Sequence, residues 1–162
     1  MLLNLQAKAR SVVEQFTARG GMIALAESCT GGLVCSLITS IAGASAVLER
    51  GLITYSNQAK VDLLGISADI LETHGAVSAE CAEAMVRGLL AAAPAVQAGV
   101  AITGIAGPGG STPTKPVGLV YVAALRRGED VKVTQQFFGG DREAIQHLAA
   151  DTAMNALLSV AI

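Results

Sequence analysis

Charged side chains are scarce in this sequence of 162 residues. They make up 15% of the chain, against about 25% in a typical soluble domain. The 11 basic and 13 acidic residues leave a formal net charge of -2, so there is no excess positive field to attract a nucleic-acid backbone. A chain that is 52% hydrophobic also excludes intrinsic disorder, and its length predicts one domain over residues 1–162.

Cysteine and histidine are also few, with three and two residues respectively. Three cysteines do not suit a disulfide scaffold and favour a reducing compartment. Neither residue type recurs at the spacing of a metal site, so we expect no bound metal. His74 and His147 lie in separate predicted helices, which gives a serine–histidine–acid triad weak support.

Two uncharged stretches, residues 28–48 and 88–114, are each long enough to span a bilayer. Both are interrupted by glycine and hydroxyl residues, and the second also by proline, which is typical of turns in soluble folds. The first residues of the chain contain no apolar run long enough for a signal peptide. We therefore expect a cytoplasmic protein that does not bind membranes.

The hydrophobic pattern predicts alternating strands and helices. Helices are predicted over residues 5–16, 33–41, 57–64, 67–74, 78–93 and after Asp141. Buried strands are predicted at residues 22–26, 51–55 and 99–103, and a late β-hairpin at residues 117–125 and 131–138. This order predicts an α/β protein with a mixed, mostly parallel sheet between two helical layers.

Ligands of such sheets bind beyond the carboxyl ends of the parallel strands, and one segment there combines a hydroxyl, a thiol and two glycines. It is AESCTGG, which places Ser28 at the start of a predicted helix. Gly31 and Gly32 allow the backbone to approach a ligand, and N–H groups at a helix start can bind an anion or stabilise an oxyanion. The alternative is that Ser28 or Thr30 only caps the helix.

The segment TYSNQAK lies at the same edge and contains a candidate base. Lys60 falls in the first turn of a predicted helix, where the helix dipole disfavours a cation. Its neutral amine is then favoured and can deprotonate a hydroxyl, while Tyr55 can orient the amine or relay a proton. The alternative is a solvated lysine and a half-buried tyrosine.

A third segment, TGIAGPGG, resembles a phosphate-binding loop but lacks the lysine and hydroxyl residue of a P-loop. Arg142 begins the last predicted helix, and its guanidinium can bind a phosphate through two parallel hydrogen bonds. The alternative for Arg142 is an exposed side chain paired with Glu143 or solvent.

Taken together, the blocks AESCTGG, ERGLITYSNQAK, LLGI, HGAVS, ITGIAGP followed by KPVG, and FGGDR resemble the C-terminal domain of the competence/damage-inducible protein CinA. The resemblance runs in order from about residue 5 to the end. Stand-alone bacterial members of this family are nicotinamide-nucleotide amidases. The resemblance implies a three-layer α/β/α sandwich that hydrolyses the carboxamide of nicotinamide mononucleotide to nicotinate mononucleotide and ammonia, in pyridine nucleotide salvage and without a cofactor.

The resemblance also implies roles for individual residues. Ser28 is then the nucleophile, activated by Lys60 with Tyr55. The residues expected to position the substrate or contact its phosphate are Glu27, Thr30, Gly31, Gly32, Thr103, Gly104 and Arg142. Cys29 is an alternative nucleophile, because its place at a helix start is expected to lower the pKa of its thiol.

Two further expectations concern function and assembly. The alternative to an amidase is a non-catalytic nucleotide-binding module linked to competence or the DNA-damage response. A binding module has no physical need of a nucleophile together with a base, which favours the enzyme. So apolar a chain also favours a homo-oligomer, with a dimer as the common default.

Overall fold

Strands and helices alternate along the first two thirds of the chain, and a hairpin precedes the last helix. The computed structural model describes residues 2–161. The helices are α1 (Leu2–Ala18), α2 (Leu33–Thr39), α3 (Asn57–Leu64), α4 (Ala68–His74), α5 (Ala79–Ala92) and α6 (Arg142–Val160). The strands are β1 (Ile23–Glu27), β2 (Leu48–Ile53), β3 (Ala98–Gly104), β4 (Leu119–Arg126) and β5 (Lys132–Phe137). A single 3₁₀ turn at Ala44–Ala46, which the sequence pattern did not predict, precedes β2.

The five described strands form one sheet in the order β2-β1-β3-β4-β5. β1 is parallel to both of its neighbours, whereas β4 is antiparallel to β3 and to β5. Four of these strands therefore run in one direction, which confirms the predicted mixed, mostly parallel sheet and its late hairpin.

The boundaries of β2 differ from the prediction of residues 51–55. The strand begins at Leu48 and ends at Ile53, so Tyr55 lies beyond it. Its side chains alternate between half-buried and exposed because it is an edge strand. An edge strand lacks the continuous apolar run by which buried strands are recognised. The charged Glu49 and Arg50 lie near the start of β2, so the apolar pattern placed the start of the strand too late.

Helices cover both faces of the sheet, as a three-layer α/β/α sandwich requires. The layer of α1, α2 and α6 buries residues such as Val12, Ile38 and Met154 against one face. The layer of α3, α4 and α5 buries Met85 and Leu89, among others, against the other face. None of the helices within residues 2–161 is both long enough and apolar enough to cross a membrane.

Four helices begin at polar residues whose side chains cap them. Ser56, Ser67, Ser78 and Asp141 each accept a hydrogen bond from an amide N–H in the first turn of the helix that follows. Such caps satisfy N–H groups that have no partner inside the helix. Because capping residues are recognisable in the sequence, these four helix starts were predicted correctly. Helix α2 has no such cap, because the residue before its first residue is Gly32, which has no side chain and a φ of +100°.

The strand order creates a crevice between β1 and β3. From β1 the chain passes to β2 on one side and then crosses back to β3 on the other side. Helices that leave neighbouring strands toward opposite sides leave a gap at the carboxyl ends, where open α/β sheets bind their ligands. The turn that contains Ser28 and the glycine-rich loop after β3 flank this crevice.

Candidate active site

Ser28 lies in a tight turn directly after β1. Its N–H donates to the Ile102 carbonyl of β3 (3.0 Å), and the Gly31 N–H donates back to the Ser28 carbonyl (3.0 Å). Gly31 has a φ of +60°, in the left-handed region that favours glycine. The turn leaves Ser28 8% exposed, at the wall of the crevice. Its hydroxyl oxygen lies 3.0 Å from Nζ of Lys60.

Glu27 holds the start of α2 with a fully buried carboxylate. This carboxylate accepts four hydrogen bonds, from the Thr30 hydroxyl (2.7 Å) and from the amides of Gly32 (3.1 Å), Val34 (3.1 Å) and Cys35 (2.8 Å). The protein's own anion therefore occupies the N-terminus of α2, in agreement with the helix dipole. The alternative that Ser28 or Thr30 caps this helix is wrong, because neither hydroxyl accepts from its first amides.

Replacing this buried carboxylate should destabilise the fold. In a Glu27→Gln variant one acceptor oxygen becomes an amide that faces backbone N–H groups, so buried donors lose their partner. We expect the free energy of unfolding to fall by about 3 kcal/mol, the scale for breaking a buried charged network. Urea denaturation followed by circular dichroism measures this change. The exposed Glu14 on α1 supplies a control, Glu14→Gln, which should change stability by less than about 0.5 kcal/mol; equal stability of the two variants contradicts the prediction.

Lys60 extends from α3 into the interior and is 1% exposed. Its Nζ contacts the Ser28 hydroxyl (3.0 Å) and the Thr54 carbonyl (2.7 Å). No carboxylate in the described part of the chain lies within ion-pair distance of it. Burial lowers the pKa of Lys60 from its ordinary value of 10.5, and the Cys81 and Cys29 thiols oppose this lowering. The alternative of a solvated lysine is therefore wrong.

The contacts of the amine suit proton transfer. A neutral amine donates to the Thr54 carbonyl and still offers its lone pair to the Ser28 O–H. Thr54 is itself held to β1, since its N–H donates to the Glu27 carbonyl (2.8 Å). The lysine is thus fixed relative to the serine by Thr54, the residue that follows β2.

Tyr55 is paired with Arg142 rather than with Lys60. Nη2 of Arg142 donates to the Tyr55 hydroxyl (2.9 Å), and Nη1 donates to the Gly107 carbonyl (2.7 Å). Tyr55 is 60% exposed at the mouth of the crevice. The guanidinium thus joins the loop after β3 to the segment after β2, and its described hydrogen bonds do not go to Glu143.

These segments enclose a cleft of about 270 Å³, near the lower end of the usual range for small-molecule sites. Its wall consists of Ser28, Cys29, Tyr55, Val77, Arg142 and most of residues 104–110. Gly104 has no room for a side chain, since a Cβ would lie 2.9 Å from the Leu119 carbonyl oxygen. The amide N–H groups of Ala106, Gly107, Gly109 and Gly110 donate to no acceptor within residues 2–161.

Several predicted site residues do not line this cleft. These residues are Glu27, Thr30, Gly31, Gly32, Lys60 and Thr103. Thr103 is buried, and its hydroxyl donates to the Ala76 carbonyl (2.8 Å), which holds the segment that contributes Val77. The structure therefore brings the three predicted segments and Arg142 together, but only some of the predicted site side chains line the cleft.

Cys29 lines the cleft but is not activated. The helix start was expected to lower the pKa of its thiol, and the expectation is wrong. Burial raises this pKa to about 12, and the nearby Glu27 carboxylate adds to the rise. The thiol therefore stays protonated at neutral pH, and only a thiolate is a good nucleophile.

Gln146 is a site residue that sequence reasoning missed. Its Nε2 donates to the carbonyl of Cys29 (2.9 Å), so α6 is tied to the serine turn as well as to the glycine-rich loop. The sequence could have indicated Gln146 by its spacing, because it lies four residues after Arg142 and residues four apart share a helix face.

The comparisons with known proteins agree with this fold. The family model described as CinA C-terminal domain matches residues 5–161. The chain is 51% identical over 149 residues to a CinA-like protein of Syntrophotalea carbinolica, covering 92% of this chain and 36% of that protein. It is 47% identical over 146 residues to a CinA-like protein of Anaeromyxobacter dehalogenans, covering 90% and 35% respectively. The chain thus spans about a third of the length of these curated relatives.

Solved structures match over nearly the whole chain. The competence/damage inducible protein CihA from Agrobacterium tumefaciens superposes with a TM-score of 0.93 at 43% identity, covering 96% of this chain and 94% of that one. The competence damage-inducible protein A from Klebsiella pneumoniae superposes with a TM-score of 0.91 at 34% identity, covering 96% and 95%. On the family match and these likenesses, the chain belongs to the CinA C-terminal domain family.

Proposed function

We propose that this chain is an amidohydrolase that converts nicotinamide mononucleotide to nicotinate mononucleotide and ammonia. The observation that carries the proposal is the buried Lys60, whose Nζ lies 3.0 Å from the Ser28 hydroxyl and is paired with no carboxylate of residues 2–161. A buried neutral amine beside a serine is a base and nucleophile pair. A domain that only binds nucleotides has no use for such a pair.

The first half of the reaction forms an acyl-enzyme. Lys60 takes the proton of the Ser28 hydroxyl while Oγ attacks the carboxamide carbon, which becomes tetrahedral and gives its oxygen a negative charge. The ammonium of Lys60 then returns this proton to the amide nitrogen, the carbon–nitrogen bond breaks, and ammonia leaves. The nicotinoyl group remains attached to Ser28 as an ester.

The second half reverses the roles with water. Lys60, neutral again, takes a proton from a water molecule that attacks the ester carbon. Collapse of the second tetrahedral intermediate breaks the bond to Oγ, which recovers the proton from Lys60. The new carboxylic acid loses its proton to solvent and gives nicotinate mononucleotide, so the amine of Lys60 carries the protons that move to and from Ser28.

Backbone donors supply the charge stabilisation that these intermediates need. At the start of α2, the amides of Gly32, Val34 and Cys35 are occupied by Glu27. The Cys29 and Thr30 N–H groups donate to no other residue in the described chain. We assign the oxyanion to this pair, since fixed amide donors near the nucleophile are effective there.

The phosphate of the substrate is assigned to the other wall of the cleft. The loop of residues 106–110 presents four amide N–H groups that have no acceptor in the described part of the chain, and the cationic Arg142 adjoins this loop. A guanidinium and a row of amides are the usual partners of a phosphate group. Tyr55, held by Arg142 at the mouth of the cleft, offers its ring to the pyridine, and aromatic rings pair in this way.

The test is an assay of the purified chain with nicotinamide mononucleotide. We expect equal amounts of ammonia and nicotinate mononucleotide, measured by a coupled ammonia assay and by chromatography. Nicotinamide riboside, which lacks the phosphate, should be a poorer substrate with a KM raised by about 10-fold or more, the scale of one charged contact. Tight binding of the nucleotide without ammonia release contradicts the proposal and favours the nucleotide-binding module.

A further inference from the structure

Helix α6 reaches both walls of the cleft from one face. Arg142, in its first turn, donates to the Gly107 carbonyl of the glycine-rich loop (2.7 Å). Gln146, one turn later, donates to the Cys29 carbonyl of the serine turn (2.9 Å). The second contact joins residues 117 positions apart in the chain and involves a partly buried side chain. Because the acceptor of the Gln146 hydrogen bond is a backbone carbonyl, the bond fixes the orientation of that part of the backbone.

The Cys29 carbonyl and the Thr30 N–H belong to the same peptide unit. A trans peptide is planar, and its C=O and N–H point in opposite directions. A side chain that fixes the carbonyl therefore fixes the direction of the N–H as well. Donation to the carbonyl also polarises the peptide, which strengthens the N–H as a donor.

Among the described residues, the Thr30 N–H is an uncommitted amide of the serine turn. The amide of Gly31 donates to the Ser28 carbonyl, and that of Gly32 donates to the Glu27 carboxylate. The Cys29 N–H also donates to no other residue within residues 2–161, but it belongs to the Ser28–Cys29 peptide and not to the peptide that Gln146 holds. The Thr30 N–H has no acceptor within residues 2–161, although the Thr30 hydroxyl is held by Glu27.

We infer that Gln146 is a positioning residue for oxyanion stabilisation: by holding the Cys29 carbonyl, it directs the Thr30 N–H toward the oxygen that becomes negative. The inference rests on the proposed acyl-transfer function and adds a residue that touches neither the substrate nor Lys60. Loss of the hydrogen bond should therefore reduce the stabilisation of the transition state more than it reduces the affinity for the substrate.

Two substitutions separate the hydrogen bond from the shape of the side chain. Gln146→Met keeps the length and removes the donor, and we expect kcat for nicotinamide mononucleotide to fall about 10-fold with KM within about 2-fold. The pH at which activity is half-maximal should not move, because Lys60 is not contacted. Gln146→Lys keeps an N–H donor at similar reach and should recover most of kcat. Gln58→Met, which removes an exposed hydrogen bond to Asp62 on α3, is the matched control and should be neutral.

A second measurement does not depend on the identity of the substrate. A fluorophosphonate reacts when Ser28 Oγ bonds to phosphorus, fluoride leaves and the serine proton passes to Lys60, with the phosphoryl oxygen in the oxyanion site. The maximal rate of labelling should fall about 10-fold in Gln146→Met, with the concentration for half-maximal rate unchanged.

The outcomes distinguish the two proposals. Labelling without ammonia release by the wild-type chain refutes the nucleotide substrate, and the labelling rates still decide the role of Gln146. Equal labelling rates in the wild type and Gln146→Met overturn the inference alone, as does a loss of thermal stability with kcat unchanged. A wild-type chain that is not labelled at Ser28 overturns both.

Discussion

Ser28→Ala should lower kcat for nicotinamide mononucleotide at least about 10⁴-fold, whereas Cys29→Ala should keep it within about 5-fold of the wild type. Ser28 is the hydroxyl that Lys60 contacts at 3.0 Å, so no other oxygen can take its place in the acyl-enzyme. Burial raises the pKa of the neighbouring Cys29 thiol to about 12, so this sulfur is not a thiolate at neutral pH. Initial rates of ammonia release from the two purified variants measure the difference.

The pair of variants also serves as its own control. Both replace a small, nearly buried side chain of the same turn by alanine, so a general disturbance of the turn would reduce both activities alike. Mass spectrometry after quenching the wild-type chain during turnover should show a nicotinoyl ester on Ser28. Retained turnover in Ser28→Ala, or loss of turnover in Cys29→Ala alone, would refute the serine mechanism.

Lys60→Met should also lower kcat, by about 10³-fold. This factor lies within the range that general acid–base catalysis supplies. Methionine fills a similar volume but has no lone pair basic enough to accept the serine proton. Lys132→Met, on the exposed edge strand β5, changes the same residue type away from the cleft and should leave kcat unchanged. Equal activity of the two variants would exclude Lys60 as the base.

The same lysine determines the pH dependence of the wild type. Only the neutral amine can accept a proton, so kcat/KM should rise with pH as Lys60 loses its proton. Because burial lowers the pKa of Lys60 below its ordinary value of 10.5, the midpoint of this rise should lie below pH 10.5. A midpoint at or above pH 10.5, or a profile that falls as the pH rises toward 10, would contradict the assignment.

The helix starts and the buried strands could be predicted because their signals are local. The run at Ile23–Ala26 is continuously apolar, and Ser78 and Asp141 cap the helices that directly follow them. The bounds of the edge strand β2 were predicted wrongly. Its alternation of half-buried and exposed residues results from having one neighbouring strand, and the local sequence does not report how many neighbours a strand has. The pairing of Tyr55 with Arg142 joins residues 87 positions apart, and no local pattern reports such a contact.

The amino-acid sequence by itself determined the fold class, the three segments and the arginine that meet at one edge of the sheet, and the chemical types of their side chains. Only the tertiary structure decided which of these side chains face the cleft and which support it. The resemblance implied that Glu27 positions the substrate or contacts its phosphate, whereas in the fold its carboxylate accepts from the amides of α2 and does not line the cleft. The reason is physical: local patterns depend on residues one to four apart, whereas burial, pKa and partners depend on strand order and packing.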